Sequence, residues 1–145
     1  MTAVAFHFNV PDKLVYACRF ARKAVRSAAR LVIVGPPEVL ALLDDMLWQL
    51  APQDFVAHCR SDASEELLQA SPVVLAPSPH LAPHRDVLLN LGSDVPVGFD
   101  AFARLIEVVS SGDPGDRRDA RARWRYYAAQ GYAIERHDLV IAGAS

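Results

Sequence analysis

Apolar positions divide the chain into short elements whose period switches between two and three-to-four residues. "AVAFHFNV" (residues 3–10) alternates and is rich in β-formers, which predicts an opening strand. Pro11 suits the first turn of a following helix. "DKLVYACRFARKAVRSAA" then places Leu14, Ala17, Cys18, Ala21 and Val25 at helical spacing, with Arg19, Arg22, Lys23 and Arg26 on the outer side. "RLVIVG" is a continuous apolar run closed by glycine, the pattern of a strand covered on both faces. "PPEVLALLDDMLWQL" predicts a second amphipathic helix with proline at its start, and "DFVAHC", "PVVLAP" and "DVLLNLG" predict further short strands. In "FARLIEVVS" a strand is expected over residues 105–109, although periodicity alone also permits a helix. "ASPVVLAPSPHLAPHRD", with four prolines, reads as a strand followed by an ordered loop. Helix formers dominate from Asp113. The last helix is expected over about 113–131, closed by Gly131 in the position glycine favours just past a helix end.

Strand and helix alternate at both ends of the chain. That predicts an α/β fold of the Rossmann-like kind: a three-layer sandwich with a mostly parallel central sheet. At 145 residues the chain is expected to form a single domain over 1–145. A hydrophobic fraction of 52% with 22% charged residues fits a soluble globular protein and excludes a disordered chain. No apolar run approaches the roughly 20 residues that span a bilayer. The opening segment has no basic region of the signal-peptide kind, so a cytoplasmic protein without membrane association is expected. Two cysteines, Cys18 and Cys59, are too few for a disulfide framework and are expected to be buried thiols.

Charge sharpens the picture at one place. Residues 1–116 carry nine Lys/Arg against fourteen Asp/Glu, whereas residues 117–145 carry six against three. Five of the fifteen basic residues fall in "RRDARARWR" (117–125). At helical spacing Arg117, Arg121 and Arg125 lie within an arc of about 80°, with Trp124 about 20° beyond Arg117 on the other side. Ala120 and Tyr127 continue toward the core, and Arg123 and Tyr126 point elsewhere. A solvated face would carry acids to pair with its arginines. Asp119, the one acid between Arg117 and Gly131, lies on the far side of the row. A row of planar guanidinium forks beside an aromatic edge suits carboxylates or phosphates. The pattern therefore favours an anion-binding surface over a solvated face.

Other chemistry is sparse. The turn after the second strand, "VGPPEV", has one glycine and two prolines, and neither GxGxxG nor the P-loop pattern occurs. His80 and His84 have H-x₃-H spacing, but Pro79 and Pro83 deny them a regular helix, so a surface loop pair is expected rather than a metal site. The adjacent Asp44 and Asp45 read as a solvated helix face. No nucleophile, base and oxyanion donors assemble, so no catalytic residue, cofactor or metal is expected. Trp48 and Phe55, either core or interface aromatics, are the remaining candidates.

The order of "FHFNVPDKLVYACRFARKA", "RLVIVG", "LDDMLWQLAPQDFVAHC", "PVVLA", "RDVLLNLG", "FARLIEVV" and "ARARWRYYAAQGY" resembles the chi subunit family of bacterial DNA polymerase III. The resemblance implies a Rossmann-like fold without nucleotide catalysis and an adaptor role at the replication fork. Such subunits join the clamp loader, through the psi subunit where present, to the acidic C-terminal tail of single-stranded DNA-binding protein (SSB). The association with single-stranded DNA is then indirect. Arg121 and Arg125 match basic positions that hold this tail, Trp124 an aromatic position beside them, and Arg117 would make an outer contact. Trp48 and Phe55 match positions that dock psi or a helicase-like protein. The link "SSGDPGDRR" is polar where relatives often carry apolar residues, which implies a more open seat for the tail's terminal ring. Two alternatives remain open at this point: a small nucleotide-binding enzyme, and a direct single-strand binder stacking bases on Trp124 and the tyrosines.

Overall fold

The computed structural model describes residues 1–50 and 52–139. Residues 140–145, included in the expected domain, lie outside the described residues. Along the chain run β1 (Ala3–Val10), α1 (Lys13–Arg26), β2 (Leu31–Val34), α2 (Pro37–Trp48), β3 (His58–Arg60), α3 (Glu65–Ala70), β4 (Val73–Ala76), β5 (Val87–Asn90), β6 (Arg104–Ser110), α4 (Pro114–Ala129) and β7 (Ile134–Asp138). The strands form one seven-stranded sheet in the order β3-β4-β2-β5-β6-β1-β7. Every pairing is parallel, so the expected mostly parallel sheet is wholly parallel among the described residues.

The sheet is covered on both faces, which is why its central strands are apolar at successive positions. All four residues of β2, β4 and β5 are buried. On one face Ala17, Cys18 and Ala21 of α1 and Leu40, Leu43 and Leu47 of α2 pack over Leu31, Ile33 and Ile106. On the other, Ala120 and Tyr127 of α4 pack over Val4, Phe6 and Leu105, with Leu68 of α3 alongside. Cys18 and Cys59 are buried free thiols, as expected. No described helix is long and apolar enough to cross a membrane.

Several boundaries differ from expectation. The helix/strand ambiguity at "FARLIEVVS" resolves to β6. The strand expected over "DFVAHC" shrinks to His58–Arg60, because Pro52–Asp54 form a 3₁₀ turn. Pro11 sits before α1, not in its first turn. Asp12 is the N-cap, its carboxylate accepting from the Leu14 and Val15 amides at 3.0 and 3.1 Å. α3 and β7 have no counterpart in the apolar pattern. His84 is buried rather than on the surface, and neither of its ring nitrogens has a hydrogen-bond partner among the described residues.

Candidate anion-binding groove and aromatic patch

α4 owes its place to signals at both ends and a buried ionic group at its centre. Asp113 caps it, accepting from the Gly115 and Asp116 amides at 2.9 and 3.2 Å, and Pro114 occupies the first turn. Asp116 accepts from the Ser110 amide (2.8 Å) and pairs with Lys13 (3.1 Å), which ties the helix start to β6 and α1. At the other end the Tyr132 amide reaches the Tyr127 carbonyl and the Gly131 amide the Ala128 carbonyl, with Gly131 at φ 87°. This is the paired 6→1 and 5→2 closure of a glycine-terminated helix. The Tyr127 and Tyr132 rings meet edge-on across it.

Ala120, Arg123 and Tyr127 form the inward face. Arg123, which helical geometry alone directs away from the arginine row, is 2% exposed and lies in the core. Its Nε donates to Glu107 of β6 at 3.0 Å and its Nη1 to the Ser93 carbonyl at 2.8 Å. Tyr127 donates its hydroxyl to the same carboxylate, and Asn90 donates to both carboxylate oxygens at 3.0 and 3.1 Å. Burial pushes the Glu107 carboxyl up, while the Arg123 charge and these donors pull it back. Burial and the neighbouring carboxylate also push the Tyr127 phenol up. Side chains of α4 and β5 thus converge on one carboxylate of β6, and the rotation of α4 about its axis is fixed.

That rotation turns Arg117, Arg121, Trp124 and Arg125 into a groove of about 460 Å³, completed by Phe8 and Asn9 of β1 and Arg136 of β7. All four candidates taken from the helix are therefore brought together. None of Arg117, Arg121 and Arg125 takes part in an ion pair among the described residues. Trp124 is half-buried, its ring 5.0 Å from Phe6 and 6.0 Å from Phe8. The Arg136 guanidinium covers Phe8 at 4.2 Å and is held by Asp138 at 2.9 Å. Between His7 and Val10 the β1–β6 register shifts, and Asn9 there adopts φ 63°, a left-handed conformation that asparagine tolerates. Asn9 also donates to Asp138 at 3.2 Å. Phe8, Asn9 and Arg136 were not singled out from the sequence, since their place follows from β1 lying between β6 and β7. The apolar wall is supplied by Phe8 and Trp124 rather than by the polar link before α4.

Trp48 and Phe55 form a second, separate feature. Both are exposed, at 60% and 55%, with ring centroids 6.1 Å apart. Of the two readings open to them, core and interface, burial excludes the first. The Trp48 ring rests against buried His58 at 4.7 Å. His58 is fixed by the Val56 carbonyl (2.7 Å) and by Asp44 (3.0 Å), which also accepts from Arg60 at 3.1 Å. Asp44 is therefore not part of a merely solvated face: it holds the histidine that supports the tryptophan.

The crevice over the carboxyl ends of β2 and β5, where a nucleotide would sit, is lined by five prolines beside Gly35, Ser78, Gly92 and Ser93. Proline has no N–H to offer a phosphate, whereas nucleotide cradles are built from backbone amides. For the single-strand reading, Tyr127 is fully buried, whereas Tyr126 is 45% exposed and Trp124 half-buried.

Comparison with known proteins agrees with this architecture. The family model for "DNA polymerase III chi subunit, HolC" matches residues 1–135. DNA polymerase III subunit chi of Pseudomonas aeruginosa is 32% identical over 145 residues, covering 96% of this chain and 98% of its own length. The Haemophilus influenzae protein of the same name is 27% identical over 124 residues, 85% of each chain. The chain belongs to the chi subunit family of DNA polymerase III.

Proposed function

We propose that this chain is a non-catalytic adaptor of the replicative polymerase. The α4 groove captures the acidic C-terminal tail of SSB, and the Trp48–Phe55 patch docks the clamp-loader side, through psi or a helicase-like protein. The observation that carries this reading is the arginine row Arg117–Arg121–Arg125. It lacks acidic partners among the described residues and borders an apolar wall of Trp124 and Phe8. A tail ending in a hydrophobic side chain and a free carboxylate has both halves of the matching chemistry. Burying one phenylalanine ring contributes about 1.5–3 kcal/mol. A charge-assisted contact to the carboxylate adds about 1.5–3 kcal/mol, and ordering the flexible tail takes some of this back. Micromolar affinity, about −8 kcal/mol, is expected. Several tails on one SSB assembly would reinforce so modest a contact by avidity.

Titration of a fluorescent tail peptide tests the reading. Arg125→Ala is expected to weaken binding about tenfold, in keeping with loss of one charged hydrogen bond. Added salt is expected to weaken it further, as is amidation of the peptide's C-terminus. Equal affinities for wild type and Arg125→Ala, or indifference to salt, would refute it.

A further inference from the structure

A second basic cavity lies on the other face of the sheet, behind the α4 groove. Its position follows from strand alternation: Phe8 and Arg136 face the groove, whereas His7 and His137, the next residues along β1 and β7, face the other side. This cavity, also about 460 Å³, is lined by His7, Tyr16, Arg19, Lys23, Arg104 and His137, among others. Arg19, Lys23 and Arg104 come from α1 and β6, are exposed, and take part in no ion pair among the described residues. Their neighbours on α1 differ, since Arg22 and Arg26 share Asp54 at 3.0 and 3.3 Å. The helix therefore neutralises one pair of cations and leaves the other pair facing the cavity. Glu135, on the β7 edge, lies 3.0 Å from His137 and is largely exposed to solvent. Burial, with the charges of His137 and Arg104, pushes the His7 imidazole down to about 4, so it stays neutral at pH 7.

The lining holds rings as well as cations. Tyr16 hydrogen-bonds His7, and Phe20 packs edge-on to His7 and tilted against Tyr16. A second depression along α1, lined by Arg19, Arg22, Lys23 and Arg26, shares Arg19 and Lys23 with the cavity. Arg19 and Lys23 stand about 6 Å apart along the helix and Arg104 adds a third cation from β6, so the basic track is longer than one small anion needs.

We propose that this track binds single-stranded nucleic acid directly, one nucleotide seated in the cavity and successive phosphates of the strand on Arg104, Lys23 and Arg19. Phosphates alternating with flat rings match a lining that holds cations together with aromatic and imidazole rings. An acidic peptide without apolar side chains would satisfy the cations but leave the rings without a partner. The site is distinct from the SSB-tail groove and shares no lining residue with it.

Fluorescence anisotropy of a short fluorescein-labelled oligothymidylate, titrated with the full chain, tests this at several salt concentrations. Three phosphate contacts predict a slope of log affinity on log salt of about −2. Lys23→Glu combined with Arg104→Glu is expected to weaken binding about tenfold or more. Arg121→Ala combined with Arg125→Ala is expected to leave it unchanged. Both pairs of substitutions are on exposed side chains, and circular dichroism melts that match wild type will show that the fold is retained. Thymidine monophosphate is expected to compete only weakly, because it cannot reach along α1. Three results overturn the proposal: no anisotropy change at millimolar protein, loss of binding in the Arg121/Arg125 pair instead, or a mononucleotide that binds as tightly as the oligomer.

Discussion

Arg123 and Arg125 stand two residues apart on α4 and face opposite demands. Arg123 is enclosed with Glu107, and removing one partner of a buried pair leaves an uncompensated charge. Arg123→Ala should therefore lower stability by about 3–5 kcal/mol in urea denaturation. Arg125→Ala, on the surface, should change it by no more than about 0.5 kcal/mol while weakening tail binding. Two histidines make stability depend on pH. His7, pushed down to about 4, and His84, pushed down by burial, stay neutral in the folded chain. Unfolded, each takes up a proton near pH 6.5. The unfolded state then binds more protons, so these groups weaken the fold as pH falls from about 6.5 toward 4. His84→Leu should flatten this decline, as thermal melts at pH 7 and 5 would show.

At the scale of elements, α4 depends on its ends. Gly131 at φ 87° has open space around it, so Gly131→Ala meets no clash and its effect is purely conformational. Placing a β-carbon in the left-handed region costs about 1–2 kcal/mol. Asp113→Ala removes the cap and should cost about 1 kcal/mol. Both losses should appear in thermal melts. These ends were legible in the sequence, as were the buried runs of β2, β4 and β5, because one local pattern dictates each. β7 was not: "IERHD" is an edge strand with four of five positions exposed, so no apolar alternation marks it. Short α3 buries none of its residues and leaves no stripe. The arginine row was readable because helical period alone aligns it. Phe8 and Arg136 were not, because their neighbours are set by strand order. Glu107, within the apolar run of β6, showed its role only through Arg123 sixteen positions later.

Across the whole molecule, the two candidate sites sit at opposite edges of the sheet. β3, next to the Trp48–Phe55 patch, is the first strand of seven, and β7, beside the groove, is the last. Six inter-strand steps of about 4.8 Å put roughly 29 Å between those strands. Sites so far apart with no shared side chain should act independently. Trp48→Ala is expected to leave tail-peptide affinity unchanged while reducing capture of the clamp loader in a pull-down. Arg125→Ala should do the reverse.

The position of β1 in the sheet bears on how the protein is made. β1 lies between β6 and β7, and Ala3 finds its partner only at Arg104. At roughly 5–20 residues per second, the ribosome adds the intervening hundred or so residues in about 5–20 s, during which the first strand waits without its neighbours. The groove needs Phe8 and Asn9 from that strand and Arg136 from the last one. The groove is therefore not assembled until Arg136 has left the ribosome. Its completion falls at the end of synthesis, because its lining joins the first strand to the last.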